Sequence, residues 1–181
     1  MTADSNEPEQ VAWEGKWIVA KKRGRWEYVG RAGSIRAAVI LAIADGHVLL
    51  VEQYRVPLGK PCIELPAGLI GDDEGANGEH ALDAAGRELI EETGYRAREL
   101  IDAGEFYSSP GMVSESFTLV IARDLTKVGE GGGVHGEDIT VHRVPLEETG
   151  AFVAAQREAG KAIDVKLLLL LAGGILEQAK A

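Results

Sequence analysis

The chain has 181 residues, enough for one substantial core with short elaborations and too few for two full domains. Its 19 Lys and Arg stand against 29 Asp and Glu, a formal charge of −10 that argues against nucleic acid and anionic membrane surfaces as partners. Cys62 is the only cysteine, which rules out an intrachain disulfide and leaves the cytoplasm as the expected location.

In chain order, residues 1–12 are polar and acidic, lack the basic-then-apolar order of a secretion signal, and are expected to form a disordered lead-in. Residues 16–22 and 25–31 flank Arg23-Gly24 and read as a β-hairpin, the centre of an N-terminal unit spanning 13–34. The main domain is expected over 35–181. It opens with two apolar, β-branched runs, 34–44 and 47–55, joined by Asp45-Gly46, a strong hairpin signal. Residues 62–70, CIELPAGLI, read as one further short strand that runs into a Gly- and Asp-rich loop.

After that loop the pattern turns helical over 79–93, with Leu82, Ala85 and Leu89 at helical spacing, Asn77 as N-cap and Gly94 as terminator. Residues 99–107, 116–123 and 138–145 read as strands, and 147–158 and 164–178 as helices. The apolar run at 165–176 is too short to span a bilayer, which takes about 20 residues, so a buried helix is expected there. Strands and helices mixed without regular alternation favour an α+β sandwich over a doubly wound parallel sheet.

The helix over 79–93 carries Glu88, Glu91 and Glu92 at spacings of three and four, so the three carboxylates share one stripe. Only Arg87 offers local compensation. Crowded carboxylates suit a hard divalent cation, magnesium in particular, which takes a few carboxylates together with phosphate oxygens. The plainer reading of the same residues is an acidic, solvated helix face.

The segment resembles the Nudix hydrolase box, G-x5-E-x7-R-E-U-x-E-E-x-G-U with U apolar: Glu79, seven residues, then Arg87-Glu88-Leu89-Ile90-Glu91-Glu92-Thr93-Gly94-Tyr95. The resemblance implies an α/β/α sandwich with a mixed central sheet, here preceded by the N-terminal hairpin. It makes Glu88 and Glu92 the principal metal ligands, with Glu91 assisting and Arg87 orienting them. The opening glycine would be Gly68, separated from Glu79 by ten residues rather than five; five extra residues in loop 71–78 account for this, and doubling a flexible loop costs only about 0.6 kcal/mol. Gly86, inside the helix at a cost of roughly 1 kcal/mol relative to alanine, has no explanation in the sequence beyond close packing.

Beyond the box, VEQYRVPLGKPCIELPAGLI and the N-terminal EGKW and RWEYV resemble the ADP-ribose and ADP-sugar pyrophosphatase branch. That likeness implies that Arg55 and Glu64 contact the diphosphate and terminal ribose, that the Ala67 carbonyl is a metal ligand, and that Trp17 and Trp26 sandwich the adenine. A hairpin turning at Arg23-Gly24 sets Trp26 opposite Lys21, on the face of Trp17 but four residues away, about 13 Å. One chain could not then close both rings on a purine, so a homodimer with exchanged N-terminal strands is implied. Read simply as aromatics, the two tryptophans could equally be core or interface anchors.

Glu137 resembles the loop glutamate that this branch uses near the attacking water, in a glycine-rich loop expected to be mobile; read by itself it could equally be a solvated loop acid, and Glu115 is a weaker candidate. Four histidines, His47, His80, His135 and His142, lack ligand-like spacing. The expected activity is hydrolysis of ADP-ribose or a related nucleoside diphosphate sugar to AMP and a sugar phosphate. Two or three Mg²⁺ ions are implied, Mn²⁺ being a substitute. The alternatives are another nucleoside diphosphate sugar, an oxidised nucleotide, or a non-catalytic ligand-sensing module of the same fold.

Overall fold

The computed structural model describes residues 3–33, 35–70, 80–134 and 136–178. Among the described residues, eleven strands and three α-helices form one small and one large sheet with flanking helices.

The small sheet comprises β1 (Gln10–Glu14), β2 (Ile18–Arg23) and β3 (Trp26–Arg31), in that order and antiparallel. Two expectations change here. The lead-in predicted through residue 12 ends in strand β1, because its Val11 and Trp13 alternate with polar residues and find a partner edge on β2. The β2-β3 turn is Gly24-Arg25 rather than Arg23-Gly24, because Gly24 takes the positive φ of 56° that the tight turn needs. Trp26 therefore pairs with Arg23, not Lys21.

The large sheet runs β11 (Ala162–Ile163), β6 (Lys60–Glu64), β5 (His47–Arg55), β4 (Arg36–Ala44), β9 (Ser116–Lys127), β8 (Tyr95–Tyr107), with β10 (Thr140–Pro145) on β5 and β7 (Ala67–Ile70) on β4. It is mixed: β4-β9 and β6-β11 are parallel and the other pairs antiparallel. The β4-β5 hairpin turns at Asp45-Gly46, both at positive φ, as expected. The single strand expected over 62–70 is instead two. Pro66 lacks the N–H that a ladder needs, and its carbonyl accepts from Ile40 N, so the chain leaves β5 and continues along β4. That switch opens the sheet where the candidate site lies.

Helix α1 (Ala81–Thr93) covers one face, where Ala84, Ala85 and Leu89 are sealed against Ile40, Leu49 and Val120. Helices α2 (Thr149–Glu158) and α3 (Leu168–Gln178) cover the other, where Val153 and, in the turn just before α3, Leu167 pack on Val48, Leu50 and Ile63. Because both faces are covered, the central strands are continuously apolar. Gly94, at φ 75°, ends α1 as expected, but the N-cap is His80; Asn77 and Glu79 lie outside the described residues. Gly86 has a packing reason, since an added Cβ would stand 3.2 Å from Leu100 Cδ1.

The C-terminal helix departs from expectation: Leu167 is buried, but Leu168, Leu169, Ile175 and Leu176 are 45–60 % exposed. An eleven-residue helix lying on the sheet can bury one stripe, and this sequence is apolar on every side. No described helix is long and apolar enough to cross a membrane.

Candidate active site

Helix α1 presents two carboxylates to an open cleft of about 370 Å³ between β4, β5, β7, the segment that follows β8 and the segment that precedes β10. The buried Ala81, Ala84, Ala85 and Leu89 fix the rotation of the helix, and Glu88 and Glu92 then face the switch point between β6 and β7. Glu92, only 6 % exposed, accepts the Ala67 N–H at 3.0 Å. Glu88 lies across Gly68: a Cβ on that glycine would be 1.9 Å from Glu88 Cδ.

Arg87 binds these pieces together. Its Nη1 donates to Glu88 at 2.8 Å and to Glu91 at 3.3 Å, and its Nη2 to the Leu69 carbonyl at 3.3 Å. Glu91, a third exposed, turns to Arg87 and does not line the cleft; the shared stripe read from the sequence is thus split, with two acids inward and one at the rim.

Burial, helped by the neighbouring Glu88 and Glu137 and opposed by the Ala67 hydrogen bond, pushes the Glu92 carboxyl up to about 8. Burial likewise pushes Glu88 up to about 7, opposed by Arg87. Two desolvated acids side by side favour the protonated state unless a cation joins them. Among the described residues no three acidic or histidine side chains are already gathered at ligand spacing. The donor set is all oxygen, which suits Mg²⁺ or Mn²⁺ rather than a softer metal.

Opposite the glutamates, Arg55 forms a bidentate pair with buried Glu64, at 2.6 and 2.9 Å. This pair holds the guanidinium rigidly in the cleft, where it keeps its charge. Glu137 lines the same cleft, with its Oε2 accepting the Val134 N–H at 2.8 Å. The glycine-rich loop before it, expected to be mobile, is instead tied to the end of α1. Gly132 and Gly133 donate to the carbonyls of Glu92 and Glu91, and Val128 and Gly129 to that of Gly94. The approach is backbone to backbone: a Cβ on Gly131 would fall 2.5 Å from Thr93 C. The last carbonyls of the helix are thus satisfied by the loop that carries Glu137.

Several cleft residues escaped the sequence reading. Gln53 shares a strand face with Arg55, and its amide donates to the Glu137 carbonyl at 3.4 Å; period-two alternation along β5 was the signal that could have found it. Arg31, from β3, pairs with Glu115 at 2.6 Å, and Lys166 enters from the turn before α3. Neither carries a local signal, because each reaches the cleft from a remote part of the chain.

Trp26 and Tyr28 line a second cavity of about 480 Å³ with Tyr107, Pro110 and Val113. This cavity exists because the 109–114 loop hydrogen-bonds to both sides of Val29. Trp17 is not part of it; its ring is half exposed beneath the Lys16 ammonium, at 4.4 Å. With Trp26 opposite Arg23, the two tryptophans are six residues apart along the hairpin, about 20 Å rather than 13. One chain therefore does not close both rings on one base.

Residues 34–167 match the NUDIX domain model. Over 128 residues the chain is 33 % identical to an ADP-ribose pyrophosphatase of Bacillus subtilis, covering 70 % of this chain and 65 % of that one. It is 39 % identical over 144 residues to a GDP-mannose pyrophosphatase of Cronobacter sakazakii, covering 75 % and 70 %. Against a putative Nudix hydrolase of Caenorhabditis elegans it is 36 % identical over 132 residues, 62 % of this chain and only 57 % of the longer relative. The crystal structure of an ADP compounds hydrolase superposes with a TM-score of 0.69 at 22 % identity, over 96 % of this chain and 95 % of that one, a likeness of fold.

Proposed function

We propose that this chain, which belongs to the NUDIX domain family, hydrolyses the pyrophosphate bond of ADP-ribose or a closely related nucleoside diphosphate sugar, releasing AMP and a sugar phosphate. The observation that supports this best is the pair of buried carboxylates, Glu88 and Glu92, facing a cleft whose opposite wall carries the Arg55–Glu64 pair.

In this reading Glu88 and Glu92, with the Ala67 carbonyl and with Glu91 at the rim, hold two or three Mg²⁺. The ions supply charge neutralisation for the pyrophosphate oxygens and make a nearby water more acidic. Arg87 keeps the glutamates in place. Arg55 binds a phosphate through the donors that Glu64 leaves free, and Glu64 meets the sugar hydroxyls. Glu137, tethered to the C-terminal end of the glutamate helix, takes the proton of the attacking water. The adenine is held between Trp17 of one chain and Trp26 of a second, which makes the active form a homodimer with exchanged N-terminal strands; the separation along one hairpin favours two chains over one.

The second reading changes only the sugar and base, and is favoured by the likeness to a GDP-mannose pyrophosphatase. Hydrolysis of ADP-ribose and GDP-mannose in ¹⁸O-labelled water, with and without Mg²⁺, separates the two. Label in one product identifies the phosphorus attacked, and the absence of metal-dependent turnover on every nucleoside diphosphate sugar sinks the proposal.

A further inference from the structure

Glu137 lies three residues beyond the end of the ladder that joins its strand to the sheet, since β5 and β10 last pair at Glu52 and Thr140. Val51 and Glu52 have partners on both edges, in β10 and β6, but from Gln53 onward β5 pairs with β6 alone among the described strands. Ahead of Thr140 the chain turns away. Asp138 takes a left-handed φ of 48°, uncommon outside glycine, and the Ile139 N–H donates to the Gly132 carbonyl, inside the loop.

Among the described residues Glu137 makes three hydrogen bonds. Two are local: its N–H donates to the Val134 carbonyl at 3.1 Å, and its Oε2 accepts the Val134 N–H at 2.8 Å. These close the residue on its own loop. The third crosses to the sheet, where Gln53 Nε2 donates to the Glu137 carbonyl at 3.4 Å. A side-chain amide thus extends the link between β5 and the chain beyond the last ladder pair.

The platform for that amide is fixed. Next to Gln53, on the other face of β5, Glu52 Oε2 meets Lys161 Nζ at 2.8 Å and His142 Nε2 at 2.9 Å. This cluster joins β5, β10 and the segment after α2, and it clamps the two strands close to where their ladder ends. A neutral amide also suits the place. It donates to the main chain and leaves one carboxylate oxygen of Glu137 toward the cleft, whereas an ammonium there could pair with the carboxylate itself. One neutral hydrogen bond of 3.4 Å is weak, so its effect lies in placement rather than in fold stability.

We infer that Gln53 is a positioning residue for Glu137, holding its carbonyl so that the carboxylate keeps its place in the cleft. The inference rests on the proposed function for the role of Glu137, but the hold on the loop can be read without turnover. Gln53→Met removes the donor at nearly constant size, and a thermal melt establishes that the variant folds. With ADP-ribose in Mg²⁺, kcat is expected to fall about tenfold while KM changes less than about twofold. In a Glu137→Gln background the same substitution is expected to lower kcat by less than about twofold, as a residue acting through Glu137 should. Hydrogen exchange without substrate is expected to quicken severalfold at the Val134, Glu137 and Ile139 amides, and to stay unchanged along α1.

A folded Gln53→Met chain with normal kcat overturns the inference, and so does unchanged exchange at those three amides. A raised KM at normal kcat would make Gln53 a substrate contact instead, and a tenfold loss that persists in the Glu137→Gln background would detach it from Glu137; either overturns the inference. An unaltered chain that hydrolyses no nucleoside diphosphate sugar overturns the proposed function, and exchange at the three amides then still decides whether Gln53 holds the loop.

Discussion

The carboxylate of Glu88 occupies the space above Gly68 that any side chain there would fill: an added Cβ would stand 1.9 Å from its Cδ. Gly68 belongs to β7 and Glu88 to α1, so the glycine sets how closely the helix approaches the strand.

Gly68→Ala should therefore displace Glu88 rather than unfold the chain, because the atom met is at the end of a flexible side chain. We expect at least a hundredfold loss of kcat for ADP-ribose with a change in melting temperature of only a few degrees. Wild-type turnover in this variant would show that the position of Glu88 is unimportant.

Glu92→Gln should abolish nearly all turnover, and it should also stabilise the metal-free protein at alkaline pH. The folded carboxyl titrates near 8, above its unfolded value of about 4.5. Its favourable state is the protonated one, so the stability present below pH 4.5 is lost as pH rises through 8, up to on the order of a few kcal/mol. Glutamine loses nothing over that window and can still accept the Ala67 N–H. Metal-free melts at pH 5 and pH 8.5 should show the variant gaining on the unaltered chain at the higher pH; parallel behaviour at both would contradict the burial argument. More than a tenth of normal activity in this variant would end the metal-ligand assignment.

Divalent-ion affinity should rise with pH between about 6 and 8 and flatten above, since an ion binding Glu88 and Glu92 must displace the protons that burial favours. Titrations with Mn²⁺ at pH 6, 7 and 8 measure this, and an affinity independent of pH would place the ion elsewhere.

If the base is held between Trp17 of one chain and Trp26 of the other, Trp17→Ala and Trp26→Ala should each raise KM for ADP-ribose with little change in kcat. Mixing the two variants after dissociation should then restore activity at low substrate. Random exchange makes half the dimers mixed, each with one of two sites intact, or about a quarter of wild-type activity. No recovery in a demonstrated heterodimer would leave the two-chain sandwich without support.

Gly131→Ala tests the tether between the glutamate helix and Glu137. Gly131 has φ 74°, and an added Cβ would meet the backbone at Thr93, which cannot move aside without disturbing the end of α1. We expect kcat to fall at least tenfold while KM changes less than threefold; a normal kcat would detach the loop from the chemistry.

What the sequence determined by itself was local. The glutamate spacing, the Asp45-Gly46 turn and the Gly94 terminator are written within a few residues, and the structure keeps each one. The box resemblance carried the family and the fold with them. Where a local cue had near-equal competitors, the sequence misled: a two-residue turn could start at Arg23 or Gly24, and the tryptophan register followed that choice.

Only the tertiary structure decided which carboxylates face the cleft, because Glu91 and Glu88 differ by a small rotation that Arg87 and Gly68 set. It also brought Arg31, Gln53 and Lys166 to one cleft, and it left much of the apolar C-terminal helix outside the core. The physical reason is common to these cases. Backbone preferences act over one turn or one pleat, whereas burial, pKa and the meeting of distant charges depend on which surfaces the whole chain leaves open.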